Sequence, residues 1–172
     1  SPVLSATATS SLTPVFTSST PSVCTITSGG ALTFITTGTC TINANQAGNA
    51  AYAAAPEVTQ SFTVNGVAAD APTIGTATAG DGEATISFSA PTNNGGAAIT
   101  GYTVTSNPGG LTATGTGSPL TVTGLTNGID YTFSVTATNA IGTSGSSAAS
   151  NSVTPQGSQT ITFNNPGAQN FG

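Results

Sequence analysis

Short runs of Thr, Val, Ile and Phe alternate with polar residues along the whole chain, and Gly, Pro, Asn and Ser clusters cut them roughly every 8 to 12 residues. A period of two places alternate side chains on opposite faces of an extended strand, so this pattern demands sheets with one buried face. No helical period of useful length competes. The nearest helical candidate is the alanine-rich stretch Asn45 to Ala55, where Gly48 and Pro56 leave room for one turn at most. With 172 residues, the chain has room for two β-sandwiches in tandem, each able to bury its own core. The expected fold class is therefore all-β.

Composition excludes more functions than it suggests. Lys, Arg, His, Met and Trp are absent, and the five acids Glu57, Asp70, Asp81, Glu83 and Asp130 leave a net charge of −5. Without a cation there is no phosphate clamp, no counterion release on nucleic acid and no attraction to anionic lipid. Nucleic-acid partners and membrane surfaces are not expected. Without His or Lys, acid–base and nucleophilic chemistry would fall to a few scattered carboxylates, so no enzyme and no cofactor is expected. No apolar run approaches the roughly 18 residues of a membrane span, so no membrane insertion is expected. No basic segment precedes an apolar one, so export would be directed from elsewhere. A chain without Met is expected to be a processed product or a segment of something longer, and we read it as a segment.

Residues 1–66 are expected to form the first sandwich, with strands at Val3–Ala8, Pro14–Ser18, Ser22–Thr27, Ala31–Thr36, Thr39–Ala44 and Glu57–Val64. Leu4/Ala6/Ala8, Cys24/Ile26, Leu32/Phe34, Cys40/Ile42/Ala44 and Phe62/Val64 each share a face, and together they make a core. The segments 20–30, 38–49 and Gln60-Ser-Phe-Thr-Val64 resemble bacterial immunoglobulin-like (Ig-like) repeats of large surface proteins, with the opening strand absent. Such a resemblance implies architecture more than activity. Cys24 and Cys40 both precede Thr-Ile in an inward register. They are either two small buried thiols or a disulfide across the sandwich; a metal site would need more ligands than a His-free chain offers. The even count and the class of protein favour the disulfide, which implies an oxidising compartment.

Residues 67–71 read as a short linker, and residues 72–155 as a second sandwich. Its strands are expected at Thr73–Thr78, Glu83–Ser89, Ile99–Ser106, Leu111–Thr114, Leu120–Thr123, Tyr131–Asn139 and Ser147–Thr154. The stretches Gly82–Pro91, Ile99–Val104, Leu125–Gly142 and Ser150–Pro155 closely resemble a fibronectin type III domain. The resemblance implies that Tyr131 is a tyrosine corner whose hydroxyl bonds back to the preceding turn, and that Phe88 stands where the family often has Trp. An Arg-Gly-Asp adhesive loop cannot exist without Arg; the corresponding loop, Thr138 to Ser147, is made of small residues suited to a plain turn. In that fold Asp81, Glu83 and Asp130 share one pole and are a candidate Ca²⁺ site, although solvated loop carboxylates are the simpler account because Ca²⁺ takes roughly 6 to 8 oxygens. Gly80-Asp-Gly82 is a turn.

Residues 156–172 read as a linker and then the first strand of the next Ig-like domain. Gln159, Ile161 and Phe163 fall on one face, Asn164-Asn-Pro-Gly167 is turn chemistry, and Phe171 follows. Apolar residues at strand spacing are a hazard when left exposed. A partner is therefore expected, and the opening-strand gap in the first sandwich is the matching vacancy. Residues 157–172 reach about 55 Å at most, whereas two sandwiches end to end extend about 70 Å, so completion in the next unit is simpler than self-completion.

The expected function is thus a structural repeat or subunit of an extracellular bacterial filament, stalk or giant adhesin at the cell surface. Its partners are copies of itself, joined head to tail by strand complementation or by chain continuity. The alternative is a spacer or glycan-binding accessory module of a secreted polysaccharide-degrading enzyme, but Trp is absent and Tyr52, Tyr102 and Tyr131 are scattered, so glycans as partners have no residue to support them. In a chain without cations, no side-chain ion pair exists for salt to screen. Melting temperature is therefore expected to stay nearly constant between low and high ionic strength in thermal unfolding; a steep salt-dependent loss would contradict this account of the forces.

Overall fold

The structure, a computed structural model, describes residues 2–163 and Gly167. Among them it has eleven strands and no helix. They are β1 (Val15–Ser18), β2 (Cys24–Ile26), β3 (Leu32–Phe34), β4 (Gly38–Gln46), β5 (Ala55–Val64), β6 (Thr73–Ala79), β7 (Glu83–Ser89), β8 (Ile99–Asn107), β9 (Thr112–Gly115), β10 (Leu120–Thr123) and β11 (Thr132–Asn139). They form sheets of order β1-β4-β5, β2-β3, β10-β7-β6 and β11-β8-β9, consistent with β-sandwiches. The chain divides into two compact units: Ser1–Ala71 with Ala90–Gly101 and Thr136–Gly145, and Pro72–Ser89 with Tyr102–Val135 and Ser146–Gly172.

In the first unit, β4 pairs antiparallel with β1 (Phe16 opposite Ala44) and with β5 (Cys40 opposite Phe62, Ala44 opposite Val58). The inner face of this sheet packs on the β2-β3 hairpin, and the fully buried side chains between them are Cys24, Leu32, Cys40 and Ile42. Cys24 and Cys40 are joined by a disulfide, which ties the hairpin to the central strand of the larger sheet. Loops of the unit clasp the segment after β5. Asn139, only 4% exposed, donates to Val67 O and Asn94 O and accepts from Ile141 N and Gly142 N, so its amide is fully used. Gly95 has φ +72 and lies so close to Val67 O that no Cβ fits there.

Two expected strands are absent. Val3–Ala8 makes one bridge, Val3 to Ala31, and is otherwise irregular. Alternation alone marks a strand face, but a ladder also needs a neighbour, and beyond Leu4 this segment has none. The alanine-rich stretch before β5 forms no helical turn. Asn49 Oδ1 accepts from Ala51 N and Tyr52 N, and Gly48 sits at φ +77, so side-chain bonds close a loop instead.

In the second unit, alternate residues of β7 (Ala84, Ile86, Phe88), β8 (Tyr102, Val104) and β11 (Phe133, Val135) are buried together with Val122 and Leu125. The Phe88 ring rests 4.9 Å from that of Tyr102. The other absent strand is Ser147–Thr154, which keeps only the bridge between Tyr131 and Val153. In its place the chain advances by serines three residues apart. Ser147 N donates to Val135 O, and Val135 N donates back to Ser147 Oγ; Ser150 makes the same pair of bonds with Phe133. Ser144 repeats the arrangement with Ala137 in the first unit. A hydroxyl thus stands in for the backbone carbonyl of an edge strand, and three residues cover the length of two.

Val135 is fully buried, so its N–H depends on that hydroxyl. Ser147→Ala is expected to lower unfolding free energy by about 1–3 kcal/mol in denaturant titration, the cost of a buried unpaired donor. Ser146→Ala serves as the near-neutral control. A Ser147→Ala variant as stable as the parent would show that water replaces the hydroxyl.

Candidate functional site

An open apolar groove in the first unit is left unfilled by its own chain. Its volume is about 410 Å³. The floor is the inner face of β1-β4-β5, where Phe16, Ile42, Ala44, Val58 and Phe62 line it, and the irregular segment Leu4–Ala8 lines it from the other layer. Strand register explains this face: Phe16 opposes Ala44, which opposes Val58, so three apolar side chains stand in one row. Ile42 is buried, whereas Val58 is 56% and Phe62 36% exposed. Phe62 meets Phe34 edge-on at 6.1 Å, which closes one end of the floor. Every residue of β5 before Val64 is exposed, unusual for a strand carrying Val and Phe on its inner face. Gln60, opposite Ile42, brings one amide into the otherwise apolar row.

A separate candidate feature, in the second unit, is the tail. Residues up to Ser158 are fastened to the second unit: Gly128 N donates to Pro155 O, Gln156 N to Gly80 O, and Ser158 N to Asp81 Oδ2 at 3.2 Å. Asp81 Oδ1 also accepts from Asn127 Nδ2 at 2.8 Å, while Asn127 Oδ1 accepts from Gly82 N. Residues 159–163 make no such bond among the described residues. Gln159 is exposed, and Ile161 and Phe163 are 94% and 87% exposed, on one face by the period of two. Phe171, the fourth residue expected on this strand, lies outside the described residues.

The acids expected at one pole do not converge. Asp81 is occupied by Asn127 and Ser158, Asp130 accepts from the Thr154 hydroxyl, and no group of three or more metal-ligating side chains occurs among the described residues. The Asp81 and Asp130 carboxylates are thus each taken up by nearby amide or hydroxyl groups. The Tyr131 hydroxyl accepts from Thr126 N at 3.2 Å, back across the turn that precedes β11. Val58 and Gln60 in the groove, and Asn127 beneath the tail, were not singled out from sequence. Their signal would have been the inward parity of β5 and the Asn-Gly turn facing Gly80-Asp81-Gly82.

Sheets, core and corner make an all-β protein, consistent with sandwiches of the Ig or type III kind. Residues 70–153 match the family model of the fibronectin type III domain, so the chain contains such a domain. No curated protein matches the chain. Among solved structures it is similar to a multidomain segment of titin, at 19% identity and TM-score 0.51, over 70% of this chain and 41% of that one. It is also similar to the FN1–FN3 domains of chicken CNTN1, at 23% identity and TM-score 0.46, over 51% and 33% of the two chains. At these identities the likeness to titin shows the fold alone, and the chain spans less than half of either structure. The disulfide and the type III domain are compatible with an extracellular or secreted protein, and no helix among the described residues is long and apolar enough to cross a membrane.

The hydrogen bond from Asn127, and then that from Ser158 N, hold the Asp81 carboxyl below the ordinary Asp range. A lowered pKa means that the ionised form fastens the tail root, a contribution present above the ordinary Asp range and lost as pH falls through the lowered value. The protection factor of the Ser158 amide in NMR hydrogen exchange, taken against the intrinsic rate at each pH, is expected to fall in acid and in Asp81→Ala at neutral pH. Protection unaffected by both would mean that the carboxylate does not hold the root.

Proposed function

We propose that this chain is a non-catalytic structural subunit or repeat of an extracellular filament, stalk or adhesin, joined head to tail when the strand Gln159–Phe163 of one copy fills the groove of the next. A single observation carries the reading: one chain exposes both an apolar groove beside an under-packed sheet and an apolar strand-spaced stripe that nothing covers. The two match in chemistry. Ile161 and Phe163 present two large apolar side chains, and the groove offers Leu4, Ile42, Val58 and Phe62. Burial of each is worth about 1.5–3 kcal/mol, which two surfaces left in water forgo.

The contact uses a different surface on each partner, so it is heterologous and generates a fibre when it does not close. Load along such a fibre passes through a strand ladder and, within the unit, through the disulfide. The absence of cations and of His supports a role without acid–base chemistry, nucleic acid or membrane insertion.

In the full chain, Ile161→Asp with Phe163→Asp places two charges where an apolar floor awaits, and is expected to abolish head-to-tail oligomers in light scattering and electron microscopy while the type III domain stays folded. Deleting residues 158–172 is expected to do the same. Oligomers that form equally well without the tail would overturn the reading and leave lateral contacts between sandwich faces as the source of assembly.

A further inference from the structure

We propose that the donor strand does more than fill the groove: it converts the irregular segment Ser5–Ala8 into a strand and pairs with its main chain. This rests on the complementation reading above. The segment alternates in polarity as a strand does, with Leu4, Ala6 and Ala8 on one parity, yet it forms no ladder. The reason lies in its register against β3. Val3 bridges Ala31, Leu4 N donates to Gly30 O at 2.9 Å, and Leu32 N donates to Pro2 O at 3.0 Å. Continued antiparallel, Ser5 would face Gly29 and Thr7 would face Thr27, but those residues belong to the turn of the β2-β3 hairpin, closed by Gly30 N to Thr27 O. The segment therefore overhangs the hairpin, and no pairing is available on that side.

Among the described residues the opposite edge has no strand beside it. Main-chain groups alternate between the two edges of an extended chain, and those of Pro2 and Leu4 face β3. Those of Ser5 and Thr7 then face away, toward the open side, and neither amide finds a partner among the described residues. Each offers one donor and one acceptor to an incoming strand. The donor meets the same condition from the other side: past Ser158, residues 159–163 are exposed and extend from a fixed root. A donor laid along the Ser5–Thr7 edge directs Ile161 and Phe163 at Val58 and Phe62 and extends the β2-β3 layer. Docking is thus coupled to ordering of the acceptor's own segment.

The test uses the full chain, kept dilute, and a labelled peptide of residues 158–172. NMR hydrogen exchange is expected to show the Ser5 and Thr7 amides slowed at least tenfold when the peptide is bound. In fluorescence anisotropy, Thr7→Pro, which removes the N–H, is expected to weaken peptide binding by about tenfold, while Thr7→Ala stays close to the parent. Phe62→Asp tests the groove itself and is expected to abolish binding. If Phe62→Asp abolishes binding but Thr7→Pro binds like Thr7→Ala and the two amides stay unprotected, the ordering proposal is wrong and complementation stands. If the peptide fails to bind the parent chain, or binds Phe62→Asp as tightly, complementation fails and this inference falls with it.

Discussion

The Cys24–Cys40 disulfide is the constraint on which the first unit depends. Only four side chains form its fully buried cluster, and two of them are the bonded cysteines. So small a core is poor support for two sheets, one of which leaves part of its inner face in water. Cross-linking residues 16 apart contributes about 3 kcal/mol in the chain-entropy model, enough to matter where burial is sparse. Its location is as important as its size. By tying the β2-β3 hairpin to β4, it joins the two layers beside Ile42, so the elements that border the groove are held to one another. A fully packed unit would have no room for a neighbour's strand.

Elsewhere, hydroxyls and amides do what ion pairs do in charged proteins. Asn139 ties Val67 and the loop at Asn94, Asn127 and Asp81 root the tail, and Ser147 and Ser150 carry the last edge of the type III domain. Short polar side chains bonded to backbone are rigid and insensitive to salt. They also blunt an edge. The serine-bonded segment offers no regular ladder to another molecule, whereas β5 and the segment before β1 remain open. In the proposed fibre that contrast gives direction: one surface accepts a strand, and the type III edge does not.

How much of this could be read from sequence depends on what alternation encodes. It reports which residues share a face, so β7 and β10, with the buried row Ala84, Ile86 and Phe88, were legible at their full extent. The inward register of Cys24 and Cys40 was legible for the same reason. Alternation does not report whether a strand has a neighbour. Val3–Ala8 has the pattern and lacks the partner, and Ser147–Thr154 gives its ladder to hydroxyls spaced by three, a period that a search for twos passes over. Parity likewise turned Phe62 inward but could not say that Val58 and Gln60 would be left uncovered, because coverage is a property of the opposing layer. Asp81 is a local contest: its donors are an Asn-Gly turn 46 residues away and the tail, so it roots the tail and does not join Glu83 and Asp130.

Cryo-electron microscopy of the native assembly, at a resolution that traces strands, tests the central claim most directly. The account predicts continuous strand density over Ile42, Val58 and Phe62 that belongs to residues 159–163 of the neighbouring copy or repeat, with Ile161 and Phe163 pointing into the groove. A groove that is empty in the assembly, or filled by the tail of its own chain, would contradict it.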